Sequence, residues 1–442
     1  MTTALAGAPA TGTRQEPAPD SAHPRPGRGA RERRGAEPVP ALRGARLRSW
    51  LSRWLDDNET PLIAVRRHIH AHPELSGSEF ETAELLAGKL RDAGLAPRPL
   101  IKGNGFVCDV GSGDRVVALR ADLDALPVQD TKAVPYRSTV DGVCHACGHD
   151  VHSTVLLGAG LALARLDALV GLPGRVRLIF QPSEEQPPFG SLDVIDAGEL
   201  DEVQTIYALH CLPQLDAGQI QTRTGPITAA TDSLEVRLTG PGGHTARPHL
   251  TADLVLALSR IVAEVPQLLA RRVDPRASLT MVFGAVHAGH AHNTIPMEGH
   301  ARATVRVLRP EVWRDLPVIV PQLVHHVAAG SGVDVEVDYR PGVPPVINDP
   351  GATAIAVQAA AAALGQANVG EAEVSMGGED FAFYAARVPA TMYRLGVGRP
   401  GSPERPDIHH PGFDVDESAI GFGVRVFAHA ALAALESDRH SA

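Results

Sequence analysis

Lysine is nearly missing from this chain of 442 residues and occurs only at positions 89, 102 and 132. Arginine supplies the rest of the positive charge, yet the formal net charge is −10. That balance argues against a general polyanion binder, so no nucleic-acid partner is expected. Alongside abundant alanine, glycine and proline, the arginine excess reads as compositional bias rather than as phosphate recognition. Cysteine is also sparse: Cys108, Cys144, Cys147 and Cys211 have no framework spacing, so disulfide staples are not expected. No stretch approaches the roughly 18–20 apolar residues of a membrane span. No apolar segment follows a basic start, which excludes a recognisable secretory leader. A cytoplasmic protein without a membrane partner is the expectation.

The length exceeds what one hydrophobic core usually supports, which favours more than one domain. Residues 1–46 hold seven prolines and an arginine cluster but no Phe, Ile, Tyr or Trp. Such a segment cannot bury enough apolar surface to offset ordering, so it is expected to be a disordered tail. From Leu47 helical periodicity begins with Trp50, Leu51, Trp54 and Leu55, and a second helix is expected through Leu62, Val65 and Ile69. His68, His70 and His72 alternate there, so at most His68 and His72 share a helix face.

Strand and helix then alternate. Val116–Arg120, Val176–Phe180 and Thr205–Leu209 read as buried parallel strands, and 82–93 and 153–169 as helices. This is an open α/β sheet. Residues 226–340 change rhythm to strand, helix, strand, strand, helix, strand, the ferredoxin-like order. The α/β pattern resumes with a helix at 353–364, a strand at 390–397 and a last helix from Glu417. The expected division is therefore 47–225 with 341–442 as one domain and 226–340 as an insertion.

Chemistry concentrates in Cys144-His145-Ala146-Cys147-Gly148-His149-Asp150-Val151-His152. A redox pair at Cys144 and Cys147 lacks a thioredoxin-like surround. A c-type haem site lacks its histidine, since Gly148 follows the second cysteine. A structural zinc knuckle lacks a second ligand pair nearby. The remaining reading is a catalytic metal site completed by distant residues. Ligands in open α/β sheets gather beyond the carboxyl ends of strands. Arg120-Ala121-Asp122-Leu123-Asp124, Gln181-Pro182-Ser183-Glu184-Glu185, His210 and His409-His410-Pro411 all occupy that position relative to expected strands.

These motifs, together with His72-Pro73-Glu74-Leu75-Ser76, Gly240-x-Gly242-Gly243-His244, Asn293-x-Ile295-Pro296 and Gly378-Glu379-Asp380-Phe381, run in order over residues of about 50 to 435. In this they resemble the amidohydrolase branch of the M20-type metallopeptidase clan: hippurate hydrolases, N-acyl-amino-acid amidohydrolases and auxin-conjugate hydrolases. The resemblance implies a zinc-peptidase-like α/β catalytic domain with a mixed, mostly parallel sheet, plus an inserted ferredoxin-like dimerisation or lid domain. It implies two divalent ions per subunit, Zn2+ or Mn2+, held by Cys147, His149, Glu185, His210 and His410. Glu184 matches the general base. His244 matches a histidine that reaches the partner subunit's site in a homodimer, and Asn293 matches a substrate contact. Asp122 and Asp124 are expected to orient ligands, with His145, His152, His249 and His409 in supporting roles. Cys144 sits where the resembled enzymes usually have Met, so it is not expected to bind metal.

The implied activity is hydrolysis of a small-molecule amide, an N-acyl amino acid or related conjugate. A di- or aminoacyl-peptidase of the same clan is the alternative within the class, and a non-catalytic binding module is the alternative outside it. One departure stands out. Gln186-Pro187-Pro188-Phe189-Gly190 replaces the glycine-rich loop of many relatives, and proline removes backbone donors there. Substrate specificity therefore does not carry over.

Overall fold

The computed structural model describes residues 44–437, so nearly all of the expected tail lies outside the described residues. Its last three positions fall inside them, and there the boundary moves: Gly44, Ala45 and Arg46 form the exposed first turn of helix α1 (Gly44–Ala71). The two helices expected across 47–69 are this one helix, continuous through Pro61. Leu47, Leu51, Leu55, Leu62 and Ile69 stay in one helical phase and are all buried, so the packed stripe carries the helix past the proline.

The chain continues through α2 (Phe80–Asp92), β1 (Phe106–Gly111), β2 (Val116–Asp122), α3 (His149–Val170), β3 (Arg175–Gln181), α4 (Gly190–Asp196) and β4 (Val203–Asp216). A second group follows: β5 (Ala230–Thr239), α5 (Leu254–Arg272), β6 (Thr280–Ala288), β7 (Glu298–Val307), α6 (Pro310–Ala328) and β8 (Asp334–Val343). The return runs through α7 (Pro350–Leu364), α8 (Phe381–Ala385), β9 (Ala390–Gly398) and α9 (Ala419–Glu436).

The larger sheet has eight strands, with β3, β2, β4 and β9 side by side and parallel. β1, which has no counterpart among the expected strands, adds antiparallel to β3, and three short pieces finish the edges. Every residue of β2 is buried. Val117, Leu119 and Ala121 join the cluster formed with α1, α3 and α9, while Val116 and Ala118 join the cluster with α4 and α8. Layers on both faces explain why its sequence is a continuous apolar run rather than an alternating one.

The expectation that no stretch reaches membrane-spanning length does not hold. α3 and α9 are long and apolar enough by length and composition. They are mostly buried and pack on each other in the interior, and that position requires apolar residues around the whole helix.

The second group forms an antiparallel sheet in the order β6-β7-β5-β8. β5 alternates strictly, burying Leu234, Val236 and Leu238 against Leu254, Leu258 and Ile261 of α5 and Leu316, Val320 and Val324 of α6. Both helices therefore cover one face. The other face presents Ser233, Arg237, Arg302 and Thr304, all exposed.

Candidate metal centre

Four backbone segments, with the loop that carries His409, deliver the donors. β2 ends in Asp122, followed by Asp124. β3 runs into the turn bearing Glu184 and Glu185. β4 continues past its expected end, so His210 lies within the strand rather than after it. The fourth segment is the start of α3, where Gly148 caps the helix at φ +89. A Cβ at Gly148 would sit 2.8 Å from Cys211 Sγ. Only glycine fits this left-handed, crowded position, and the turn it makes brings Cys147 and His149 to the same cluster.

Ligand atoms of Cys147, His149 and His210 lie within 4.8 Å of one another, as do those of Cys147, Glu185 and His409, and those of His149, Glu184 and Glu185. Cys147 Sγ is 3.5 Å from His210 Nε2. His210 Nδ1 donates to the Cys211 carbonyl at 2.9 Å, which leaves Nε2 as the free lone pair facing the sulfur. His149 Nδ1 is 3.2 Å from Asp124 Oδ1, so its Nε2 faces Glu185 Oε1 at 3.8 Å. The buried His149 Nε2 and Glu185 Oε1 have no hydrogen-bond partner among the described residues. Unpaired polar atoms this deep are costly unless something binds them.

The electrostatics also favour a cation. Burial alone would lower the His149 imidazole, but Asp122, Asp124 and Glu185 overcome it and raise it to about 10. Burial, with Glu185, Glu184 and Asp122 close by, pushes the Cys147 thiol well up. Glu184 is raised well above the usual carboxylate range by burial and by Glu379, Glu185 and Asp380. Cys147 and His149 are thus biased toward forms whose proton a divalent ion would displace, whereas burial and Arg394 push the His210 imidazole down and keep its Nε2 free. Thiolate, imidazole and carboxylate donors together suit a first-row divalent ion.

Asp124 holds the candidate ligand His149, whereas the hydrogen bond of Asp122 goes to His152, which is not among the expected ligands. Asp122 Oδ1 is 2.6 Å from His152 Nδ1, and His152 Nε2 accepts the Cys211 N–H at 2.9 Å, so both of its nitrogens are engaged. Asp124 Oδ2 accepts the Glu185 N–H at 2.9 Å. His70 is buried, with Nδ1 2.7 Å from Asp150 Oδ2, and supports the cysteine loop from behind. His145 is buried as well.

The histidine pair resolves differently from the expectation. His409, not His410, reaches the cluster, with Nε2 3.4 Å from Glu185 Oε1. Its N–H donates to the Ala146 carbonyl at 2.7 Å and its φ is +65, a strained conformation held by docking on the cysteine loop. His410 Nδ1 instead accepts the Gly412 N–H at 3.0 Å.

Residues 118–433 match peptidase family M20/M25/M40. The N-acetyl-L-cysteine deacetylase of Bacillus subtilis strain 168 is 35% identical over 364 residues, covering 82% of this chain and 85% of that one. The crystal structure of a dinuclear metal-binding peptidase of the M20 family, also from Bacillus subtilis, superposes with a TM-score of 0.75 at 32% identity, covering 86% of this chain and 99% of that one. The chain belongs to peptidase family M20/M25/M40. Metal-dependent hydrolysis of an amide bond is the activity that this membership carries. A Rhodococcus jostii (strain RHA1) protein, provisionally named a glutamate–cysteine ligase 2-3, is 43% identical over 91% of this chain. The chain spans only 52% of that relative, and the ligase named there is not assigned to it.

Besides His410, two expected residues stand outside the cluster of this M20-family chain. His244 is exposed in a two-residue bridge, Gly243–His244 with Thr294–Ile295, and its Nδ1 accepts the Ala246 N–H at 3.0 Å. Asn293 is exposed beside it, its carbonyl accepting the Thr245 N–H at 3.2 Å. Other residues gain roles that the sequence alone did not assign. Buried Arg120 joins Asp122 at 2.7 Å, Asp380 at 2.7 Å, Glu379 at 3.2 Å and Gln181 at 2.8 Å, tying three segments beneath the site. Buried Glu79 accepts the Ser183 N–H at 2.7 Å and the Gly77 N–H at 3.0 Å. Ser183 has φ +50, so this clamp fixes the strained residue just before Glu184. An arginine two residues before Asp122 in Arg120-Ala121-Asp122-Leu123-Asp124, at the end of an apolar strand, was the available signal for the first; Glu79 has none.

Proposed function

We propose that this chain hydrolyses the amide bond of an N-acyl amino acid or related conjugate at two divalent ions, zinc or manganese. Cys147, His149, Glu185, His210 and His409, whose ligand atoms fall in overlapping groups within 4.8 Å, would hold them. The observation that carries the reading is the division of labour between adjacent glutamates. Glu185 offers an unpartnered oxygen to the cluster, while Glu184 turns toward Asp380, whose N–H its Oε1 accepts at 3.3 Å. When bound, the ions supply Lewis acidity and a water of lowered pKa.

Glu184 takes the proton from the attacking water at its remaining oxygen. Buried among carboxylates, it holds that proton readily and passes it to the nitrogen of the departing amine. One water proton thus moves to the amine and the other is released as the acyl product ionises, leaving a free amino acid and the acyl carboxylate.

The insertion, 226–340, is the lid and dimerisation domain in this reading, and 47–225 with 341–442 is the catalytic one. Support comes from the helix-free sheet face and from strand β6 at the sheet edge, where Val282 and Val286 are 61% and 47% exposed. An exposed apolar edge calls for a partner, and a two-fold pairing would present His244 and Asn293 to the neighbouring subunit's cluster. His244 would then donate to the tetrahedral oxyanion and Asn293 would contact substrate. A cytoplasmic location accords with the four described cysteines being free and buried.

The test is a panel of N-acyl amino acids set against matched free-amine dipeptides, using metal-loaded protein. Deacylation of the former supports the reading. Turnover of the free-amine dipeptides alone would make the chain a peptidase, and no turnover of either would overturn amide hydrolysis.

A further inference from the structure

Beside the metal cluster stands a charge that nothing in the mechanism uses. Arg394 lies on β9 directly opposite His210 of β4 in a parallel register, so the two side chains leave the sheet on the same face. His210 turns its Nε2 to Cys147, and Arg394 is felt electrostatically by His210, Cys147 and Glu379. Arg394 is 9% exposed. Among the described residues its side chain makes no hydrogen bond and no ion pair. Its neighbour Glu379 is already taken by Arg120 at 3.2 Å. None of its nitrogens is among the sealed, partnerless atoms, so the guanidinium is not wholly closed off.

A buried guanidinium without a partner is costly. Burial lowers Arg394 below the usual arginine range, and Glu379 and Cys147 offset this only in part. Arg120 shows the ordinary solution, with carboxylates on both of its terminal nitrogens. Arg394 lacks one, and a planar fork of donors matches a carboxylate in two parallel hydrogen bonds.

We propose that Arg394 is the receptor for the substrate's free α-carboxylate, and so a specificity-determining residue that selects N-acyl amino acids over neutral amides. The inference rests on the function proposed above and narrows its substrate class to amides that carry an anion beside the scissile bond. The ligand completes the ion pair that the folded chain leaves open, and desolvation inside the site makes that pair discriminating.

The test is a binding comparison of N-benzoylglycine with N-benzoylglycinamide, which differ only in the terminal group, an anionic carboxylate in one and a neutral carboxamide in the other. Calorimetry on metal-loaded Glu184→Gln protein keeps both ligands intact. The acid should bind more tightly by about 10–100-fold, the worth of a charge-assisted pair. Adding Arg394→Gln or Arg394→Met should collapse the preference to within about threefold, while Arg394→Lys keeps part of it. Metal content should stay unchanged in all three variants. An acid preference that survives in the Gln and Met variants would overturn the proposal, since the ions or another cation would then read the carboxylate. So would loss of metal with the preference intact, which would make Arg394 a support for Cys147. If wild-type protein shows the Arg394-dependent preference but cleaves no N-acyl amino acid, the proposed reaction fails and the carboxylate receptor stands.

Discussion

At the scale of single residues, adjacency in sequence says little about division of roles. Glu184 and Glu185 are neighbours, yet the Glu185 N–H is fixed by Asp124 while a Glu184 oxygen is fixed by the Asp380 N–H. Glu184→Gln should therefore retain its metals while kcat falls by roughly 10²–10⁴, the usual worth of a general base. Metal loss with the charge would exchange the two roles. His409 and His410 make the same point, and here the family motif alone misdirects. A doublet of identical side chains cannot show which one faces the donors. A positive φ and a hydrogen bond to Ala146 decide it, and both are tertiary facts. His409→Ala should lose metal on elemental analysis, whereas His410→Ala should keep it; the reverse pattern would restore the sequence-based assignment. Cys147, His149, Glu185 and His210 stood out through the motifs that carry the family resemblance, and the structure brings their ligand atoms close together, His210 from within β4. Glu79 and Arg394 were not, because their roles depend on what lies across the fold.

At the scale of elements, the loop from Ser183 to Gly190 is held at both ends. Gly190 N–H donates to the Ser183 carbonyl at 2.9 Å, and a Cβ on Gly190 would lie 1.8 Å from the Pro182 carbonyl oxygen. Gly190→Ala must push the loop open, so metal content and turnover should fall together, with little change in far-UV helicity. Unchanged turnover would show that the loop tolerates the shift. β1 and β3 offer a test on the acid side. Asp109 is opposite Arg177 in register and accepts from its Nε and Nη2, both at 2.9 Å. Burial opposes ionisation of Asp109, but Arg177, Arg98 and Arg175 overcome it and hold the carboxyl below its usual range. A depressed carboxyl stabilises the fold above its unfolded value and loses that contribution as pH falls through the folded one. Asp109→Asn should thus lower Tm at pH 7, and the gap should narrow below about pH 4. A gap independent of pH would assign the effect to packing. β1 itself escaped the sequence reading because Phe106–Gly111 is a short antiparallel addition without clean alternation, whereas the strict alternation of β5 exposed the inserted sheet at once.

At the scale of the molecule, the open face of the inserted sheet and the exposed position of His244 outside the cluster are what the proposed two-fold assembly rests on. If His244 acts on the neighbour's centre, inactive His244→Ala mixed with inactive Glu184→Gln should regain part of the activity as subunits exchange, because each heterodimer holds one intact composite site. Verified exchange without recovery would confine His244 to its own subunit or to no role. Beneath this lies the claim that the donors around Cys147 hold two divalent ions on which amide hydrolysis depends. Elemental analysis coupled to turnover tests that most directly. Two metal equivalents per chain, activity abolished by chelation and restored by Zn2+ or Mn2+, and loss of at least one equivalent in Cys147→Ser are the predicted results. Full metal occupancy and normal turnover in Cys147→Ser, or amide hydrolysis by metal-stripped protein, would contradict the account.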